Sequence, residues 1–228
     1  MPAHHATPSR QPLTKDSVIS AAIDLADRDG LDALTMRRLG ARLGVQAMSL
    51  YKHVSNKDQI LDEIVEHVFG VIELPDVEAS WQQAMRWRAH SARRVLCRHS
   101  WAIGLLESRG ATGPASMRYV DSILGCLRAA GFTLQDSAHA FWILDSFVYG
   151  HVLQETRMSV SQHEESPGAA RLPAEPAGFT DYPHLAALAA PAISAQFSFD
   201  QEFDIGLDLI IHGLERIAAP SRARPASP

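Results

Sequence analysis

A run of basic side chains without acidic neighbours is the part of this sequence best suited to chemistry with an anion. From residue 33 to residue 57 there is no Asp or Glu, and the basic residues are Arg37, Arg38, Arg42, Lys52 and Lys57. Guanidinium and ammonium groups bind phosphate, so the run could contact the backbone of a nucleic acid. A run of this kind is also often a solvated helix face, and charge alone leaves both interpretations open.

Catalytic and metal-binding patterns are weaker. His151 and Glu155, at positions i and i+4 of a predicted helix, could share a metal ion, but a lone pair of this kind is usually structural or solvated. The sequence contains no His-Glu-x-x-His, no phosphate-binding glycine loop and no Gly-x-Ser-x-Gly motif. We therefore predict that the protein is not an enzyme and that it binds no cofactor and no metal.

Composition and charge restrict the remaining classes. Of the 228 residues, 46% are hydrophobic and 21% are charged, as in ordinary water-soluble proteins with a large core. No apolar run approaches the roughly 18 residues of a membrane helix, and residues 1–12 lack the apolar stretch of a signal peptide. The two cysteines, Cys97 and Cys126, lie in helix-like segments, as expected of reduced thiols. We expect a cytoplasmic protein with no membrane partner.

Charge is distributed unevenly along the chain. Residues 1–57 carry 8 basic and 5 acidic side chains, whereas residues 58–228 carry 13 basic and 21 acidic ones. Capping residues and apolar periodicity predict four helices over the N-terminal part, at residues 14–30, 35–44, 47–53 and 56–72. A short helix, a turn at Gly44 and a second short helix have the spacing of a helix-turn-helix.

The third predicted helix has one side that must stay exposed. The second and third helices cannot form a sizeable core alone, so they must pack against the first and fourth. The side left over carries short or hydrogen-bonding side chains that could approach a DNA groove while the basic run contacts phosphates. These side chains are Gln46, Ala47, Ser49, Lys52 and His53. Spacing and charge segregation together favour DNA binding.

The same residues carry a family resemblance. The string Thr35-Met-Arg-Arg-Leu-Gly-Ala-Arg-Leu-Gly-Val45, followed by Ser49-Leu-Tyr-Lys-His-Val54 and Asn56-Lys57, resembles the tetracycline-repressor (TetR) family of transcriptional regulators. The resemblance covers about residues 13–72, and the remaining length suits that family's helical ligand-binding and dimerisation domain. A later segment, 206–214, resembles the last helix of the branch closest to the tetracycline repressor itself.

The resemblance implies roles for individual side chains. Thr35 and Arg37 match positions that contact the DNA backbone, at a helix N-terminus where phosphate binds well. Tyr51 matches an aromatic residue that reaches a phosphate or a thymine methyl, and Lys57 matches a lysine that pairs with a phosphate. Base edges would be read where family members differ most, at Gln46, Ala47, Met48, Ser49, Lys52 and His53. Lys52 could donate to guanine O6 and N7 or only hold a phosphate.

The resemblance does not extend to metal-dependent drug recognition. The tetracycline repressor holds its drug through magnesium on a histidine. Counting back from Gly131 and Phe132, that position falls near Glu107 in this sequence. A carboxylate there gives no support for the same mode of binding.

Helical segments continue through the C-terminal part, at residues 81–98, 101–107, 114–130 and 134–157. The last of these is rich in large apolar side chains interrupted by polar ones, which need hydrogen-bond partners or a ligand if they point inward. An aromatic helix is more often core than pocket, and the sequence does not show which face is inward. The candidate ligand pocket consists of Trp101, Leu105, Phe141, Asp145, Tyr149, His151 and Gln154.

Residues 158–183 change in composition, with four prolines and two glycines, and predict a mobile loop that either borders the pocket or is a passive linker. A helix over 185–195, interrupted by Pro191, and a last helix over 199–218 are predicted to follow. Small residues on the last helix allow a close approach of another helix. They predict a dimer face of Phe203, Gly206, Ile210, Gly213, Leu214 and Ile217.

The sequence thus predicts an all-α protein with a helix-turn-helix domain at 13–60, a connecting helix and linker at 61–80, a helical bundle at 81–218, and disordered ends at 1–12 and 219–228. We expect a ligand-responsive regulator, most simply a repressor, that binds a palindromic operator in double-stranded DNA as a homodimer and is released by a small molecule. Two alternatives remain open: a helical binding or catalytic protein with a vestigial helix-turn-helix, and a transcriptional activator.

Overall fold

The computed structural model describes residues 12–110, 112–163, 181–188 and 198–218. Within these ranges the regular elements are helices, which confirms the all-α prediction, and none is long and apolar enough to cross a membrane. A single 3-10 turn, Leu31–Ala33, follows the first helix. The helices are α1 Lys15–Asp29, α2 Met36–Arg42, α3 Ala47–Leu50, α4 Lys57–Val71, α5 Trp81–Arg98, α6 Ala102–Arg109, α7 Pro114–Ala129, α8 Leu134–His163, α9 Pro183–Leu188 and α10 Phe199–Ala218.

Capping side chains fix where α2 and α4 begin. The Oγ1 of Thr35 accepts a hydrogen bond from the backbone N–H of Arg38 at 3.2 Å. The Oδ1 of Asn56 accepts one from the N–H of Gln59 at 2.8 Å. These bonds satisfy N–H groups that have no partner within the helix itself, and they set the boundaries of the segment that contains α3.

The N-terminal domain is held by a small apolar core between α1, α2, α3 and α4. Its centre is fully or nearly fully buried and consists of Val18, Leu39, Leu50, Ile60 and Ile64. Because Leu50 is the only fully buried side chain of α3, the rest of that helix is free to face outward. The third helix is shorter than predicted. Beyond Leu50 the chain continues as hydrogen-bonded turns to Val54, so residues 51–53 are not extended.

The C-terminal domain is a bundle in which α8 packs against α5, α7 and α10. Its core side chains include Met85, Leu96, Ile123, Leu144 and Val148. The connecting helix α4 packs against both α6 and α7, so it belongs to the cores of both domains. A shift of α6 and α7 would therefore displace α4 directly.

Two predicted boundaries need correction. The helix predicted to end at residue 157 continues to His163, so the first part of the predicted loop is helical. No proline or glycine occurs between 158 and 163, and nothing there forces the helix to stop. At the other end, α9 begins at Pro183, a residue that suits a first helical turn. The predictions for 164–180, for the interruption at Pro191, for 1–11 and for 219–228 lie outside the described residues.

Candidate DNA interface and buried polar cluster

The turn between α2 and α3 depends on two glycines. Gly44 has φ = 65°, in the left-handed region that favours glycine. Gly40 lies where the two helices touch: its carbonyl accepts a hydrogen bond from the N–H of Val45 at 2.9 Å. A Cβ on Gly40 would lie 2.9 Å from the Val45 oxygen and 3.1 Å from the Ala47 nitrogen. The angle between the two helices therefore requires a residue without a side chain here.

The side of α3 opposite Leu50 is open to solvent. Gln46, Met48, Tyr51 and Lys52 are exposed, Met48 to 73% of its maximum. Half-buried positions on the same segment are Ala47, Ser49 and His53. Met48 and Tyr51 are the large apolar or aromatic side chains that this segment exposes, and both are available for contact with another molecule. That the side chains of this segment contact DNA stays a prediction.

The five cations of the basic run are not equivalent. Arg38 forms an ion pair with Asp29, and Arg42 forms one with Asp24 at 2.9 Å, both with carboxylates of α1. Arg37, Lys52 and Lys57 are exposed and form no ion pair with any residue in the described ranges. Near them, the Thr35 hydroxyl accepts the capping bond and can still donate its own hydrogen. Three cations and one hydroxyl are thus available to phosphates.

Within the described residues, polar contacts of three side chains, Asp27, Arg109 and Glu66, join the N-terminal helices to the C-terminal bundle. Asp27 of α1 accepts a hydrogen bond from Trp101 Nε1 at 2.7 Å and contacts His99 Nδ1 at 2.7 Å. Trp101, a predicted pocket residue, is thus part of the contact between domains. Arg109, at the end of α6, forms ion pairs with two carboxylates of α4, Asp58 and Asp62.

The third of these side chains is Glu66 of α4, whose carboxylate accepts hydrogen bonds from the N–H groups of Ala115 at 2.6 Å and Ser116 at 3.1 Å. These two groups are at the N-terminus of α7, where a negative charge is favourable. Burial raises the pKa of Glu66, but the hydrogen bonds from Ser116 and Ala115 outweigh it, so the pKa lies below the usual value. The charged form of Glu66 therefore fixes α7 to α4.

A buried polar cluster lies in the centre of the C-terminal bundle. Arg88 of α5 is completely buried, and its Nη1 donates to Asp145 Oδ1 at 2.7 Å and to the Tyr119 oxygen at 2.8 Å. The Tyr149 hydroxyl donates to Asp145 Oδ2 at 3.4 Å. Burial alone would lower the pKa of Arg88. The charge of Asp145 and its hydrogen bond outweigh this effect, so the pKa is raised and the guanidinium stays charged. Burial also raises the pKa of Tyr119 and Tyr149.

The structure brings only part of the predicted pocket together. Asp145 and Tyr149 meet in the buried cluster, Leu105 is buried and Phe141 is half-buried against the same core. Gln154 is exposed. His151 faces α10, with its ring centre 5.0 Å from that of Phe203. The helical period places His151 on a different side of α8 from Asp145, and the sequence alone did not reveal which side is inward.

Sequence reasoning missed Arg88 and Tyr119. A signal for Arg88 was available, because Met85, Arg88, Ala92 and Leu96 recur at intervals of three and four residues on the stripe of α5 that becomes buried. A single charged residue within such a stripe indicates a buried ion pair or a binding group. No local pattern identifies Asp145 as its partner.

Glu155 belongs to an ion pair with Arg93 and does not share a metal site with His151. The Nε2 of His151 is 3.9 Å from Glu155 Oε2, whereas both oxygens of Glu155 accept hydrogen bonds from Arg93, at 2.8 and 2.9 Å. Burial, together with Glu155, raises the pKa of Cys97 to about 12, which makes its thiol a poor nucleophile. In the part of the chain that the structure describes, no group of three or more potential ligands could hold a metal ion.

The predicted dimer face requires correction. Phe203 and Leu214 are buried in the protomer's own core, so they cannot contact a second subunit. Gly206 does allow a close approach, but of α8 within the same chain: a Cβ there would lie 2.6 Å from the Phe147 ring. Ile210 is half-buried, and only Gly213 and Ile217 of the predicted set are exposed. The large apolar side chains that these two adjacent helices expose include Trp142, Ile143, Leu153, Ile205, Leu209 and Ile217.

Two family models match this chain, one over the N-terminal helices and one over the C-terminal bundle. A family model described as bacterial regulatory proteins of the tetR family matches residues 18–64. A second, described as the tetracyclin repressor-like C-terminal domain, matches residues 74–218. The chain belongs to the TetR family. This family assignment confirms the resemblance carried by residues 35–57 and by the last helix.

Individual relatives of this TetR-family protein extend over nearly its whole length. It is 36% identical over 215 residues to an HTH-type transcriptional regulator of Saccharopolyspora erythraea, covering 90% of this chain and 86% of the relative. It is 32% identical over 210 residues to the tetracycline repressor protein class D of Escherichia coli, covering 89% of each. The crystal structure of the Streptomyces coelicolor TetR family protein ActR in complex with actinorhodin matches with a TM-score of 0.72 and 30% identity, covering 91% and 99% of the two chains.

The TetR-family protein is therefore a transcriptional regulator with a DNA-binding helix-turn-helix domain and a ligand-binding C-terminal domain. It is not an enzyme, because the relatives it matches over nearly full length are regulators. The alternative of a catalytic protein with a vestigial helix-turn-helix is thereby removed.

Proposed function

We propose that this protein is a repressor that binds a palindromic operator as a homodimer and leaves it when a small molecule binds in the C-terminal domain. The observation that carries the proposal is the surface around α3. There, Arg37, Lys52 and Lys57 lack acidic partners among the described residues, beside a helix face exposed opposite Leu50. Such a surface suits a duplex, in which phosphates flank a groove.

Two groups of side chains divide the work at this surface. Arg37, Thr35, Tyr51 and Lys57 contact the DNA backbone and hold the domain in position, whatever the base sequence. The base edges are read by side chains that precede or lie within α3 and the turn after it, namely Gln46, Ala47, Met48, Ser49, Lys52 and His53. Changes in the second group alter which operator is preferred, whereas changes in the first weaken binding to every DNA.

The dimer is proposed to form through α8 and α10. Both helices expose large apolar side chains, and they lie side by side because Gly206 of α10 accommodates Phe147 of α8. A second copy packed on this face would bury Trp142, Ile143, Leu153, Ile205 and Leu209. Two helix-turn-helix domains would then reach half-sites about one helical turn, roughly 34–36 Å, apart.

Release follows from the contacts between the domains. A ligand that favours a different arrangement of α5 to α8 would act on α4 through Arg109 and Glu66, and on α1 through Asp27. Its effect is limited by the difference between its affinities for the two arrangements. The bound actinorhodin of ActR and the name of the tetracycline repressor support a small-molecule effector.

Selection from genomic DNA tests the proposal. Purified protein is incubated with sheared DNA of its own organism, and the bound fragments are sequenced after washes at low and high salt. We expect an inverted repeat that persists at high salt and that lowers reporter expression when placed in a promoter. Raised expression would make the protein an activator, and the absence of any enriched sequence would refute the operator model.

A further inference from the structure

The buried cluster contains an arginine whose hydrogen-bonding groups are only partly used. Arg88 is completely buried, and its contacts with Asp145 and Tyr119 both use Nη1. Its Nε and Nη2 are buried as well and have no hydrogen-bond partner among the residues that the structure describes. Buried polar atoms are almost always paired, so two unpaired donors on one charged side chain call for a partner.

The two unpaired donors lie on the same edge of the guanidinium plane. The N–H of Nε and one N–H of Nη2 point in the same direction, which is the fork that binds two oxygens of a planar anion. Asp145 occupies the opposite side through Nη1, so it keeps the guanidinium charged and oriented without using the fork. The structure therefore holds a preorganised bidentate donor in the centre of a ligand-binding domain.

We propose that the Nε and Nη2 edge of Arg88 binds a planar oxyanion of the effector, and that the effector is an aromatic acid. The anion is a carboxylate or a vinylogous acid, in which one negative charge is shared by two oxygens. The inference rests on the proposed function in one respect, that the C-terminal domain binds a small molecule. It adds the chemical class of that molecule and the residue that selects it.

The surroundings of Arg88 support an aromatic acid. The Tyr119 oxygen accepts a hydrogen bond from Nη1, on the side of the guanidinium away from the fork, so Tyr119 helps to hold Arg88 in place. The Tyr119 ring lies beside that of Phe69, with centroids 5.1 Å apart, and Arg88 lies over the Tyr119 ring at 5.5 Å. A carboxamide of the same shape would present N–H groups to the donors of the fork and would bind less well.

The test compares acids with their own amides. The melting temperature and Kd of the full chain are measured with 2-naphthoate, 1-hydroxy-2-naphthoate and anthraquinone-2-carboxylate, and with the carboxamide of each, at constant ionic strength. We expect at least one acid to bind saturably and about 10-fold or more tightly than its amide, as a charge-assisted bidentate contact implies.

The Arg88→Lys variant distinguishes the effect of the paired N–H donors from the effect of the positive charge. Lysine keeps a positive charge beside Asp145 but has no paired donor edge, so the acid should lose about 10-fold or more in affinity while the amide changes little. Because one variant could misfold, Arg88→Met with Asp145→Leu provides a second one in which both buried charges are removed together. It should retain the helical circular dichroism spectrum and show no preference for the acid.

The inference is overturned if no acid of the set binds better than its amide, or if Arg88→Lys binds the preferred acid as tightly as the wild type. Operator binding is measured in parallel, so the two failures stay distinct. Release from an operator by a neutral molecule, without acid preference, would leave the proposed function standing and remove the inference. Failure to bind any operator would remove the proposed function, whatever the binding of acids.

Discussion

At the scale of single residues, the partner of each cation decides its role. Arg37 has no carboxylate partner among the described residues, whereas its neighbour Arg38 is paired with Asp29. Arg37→Ala should therefore weaken binding to all DNA sequences and lower the slope of log affinity against log salt by about one unit, because one phosphate contact is lost. Fluorescence anisotropy titrations at several salt concentrations measure both quantities.

The matched control is Arg118→Ala, which removes one exposed positive charge from α7 in the other domain. It should leave the salt slope at the wild-type value. An Arg37→Ala protein with wild-type affinity and slope would contradict the proposed docking of α2 on the DNA backbone.

His151 gives the fold a pH dependence whose sign can be derived. Burial, and then Arg93, lower the pKa of His151 below its usual value, although Glu155 acts in the opposite direction. Below about pH 6.5 the unfolded chain therefore binds a proton that the folded protein excludes, and stability falls as the pH falls. Replacement by leucine should reduce the loss of unfolding free energy between about pH 7 and pH 5, as measured by urea denaturation.

The control for this measurement is His139→Leu, at an exposed position of the same helix. It should retain the wild-type loss of stability over the same interval. A His151→Leu protein that loses as much stability as the wild type would show that other groups dominate the acid response.

The residues expected from the sequence to touch phosphates are exposed in the structure because their placement depends on local features, a capped helix start and a known helix period. The roles of Arg88 and Tyr119 could not be obtained in the same way. Arg88 acquires its environment from Tyr119 and Asp145, which lie 31 and 57 residues away in sequence. The apolar stripe around Arg88 marks its position as buried, but only the tertiary structure shows which residues are its partners.

At the scale of elements, Gly40 sets the contact between α2 and α3. A Cβ there would meet the backbone of Val45 and Ala47, neither of which can move as a flexible side chain could. Gly40→Ala should therefore destabilise the domain by roughly 1–3 kcal/mol, the usual cost of overfilling a well-packed contact. It should also weaken operator binding by tilting α3. Thermal denaturation followed by circular dichroism gives the stability.

Gly125→Ala is the appropriate comparison. Gly125 lies within α7, and nothing would be within 4 Å of a Cβ built on it. Alanine at such a site should stabilise the helix by about 0.5–1 kcal/mol. If both variants had the same stability as the wild type, close approach at Gly40 would not be what holds the two helices together.

Helix starts are more accessible from sequence than helix surfaces. The starts at Thr14, Thr35 and Asn56 follow from side chains that cap the next turn, and the structure has them. The stripe of α10 that is predicted to face a second subunit is instead buried within the protomer at Phe203 and Leu214, because such a stripe is apolar in either case. Periodicity identifies an apolar stripe but not the surface that it contacts.

At the scale of the whole molecule, the proposed dimer face on α8 and α10 is expected to set how tightly the full operator is bound. One helix-turn-helix domain makes few contacts, and strong operator binding needs two half-sites engaged together, so affinity depends on the effective concentration of the second domain. Leu209, exposed to 71%, lies in this face. Leu209→Lys should convert the protein to monomers at micromolar concentration in sedimentation equilibrium, and it should greatly weaken binding to the full operator.

The control is Val77→Lys, in the linker before α5, where the valine is exposed to 85%. It adds the same charge to another strongly exposed apolar position, away from both helices, so the dimer and operator binding should be preserved. Binding of the Leu209→Lys protein to an isolated half-site should match that of a wild-type subunit, because α3 and its cations are unchanged. A Leu209→Lys protein that remains dimeric would place the subunit contact elsewhere on the bundle, and the spacing of half-sites would then have to be set by a different pair of helices.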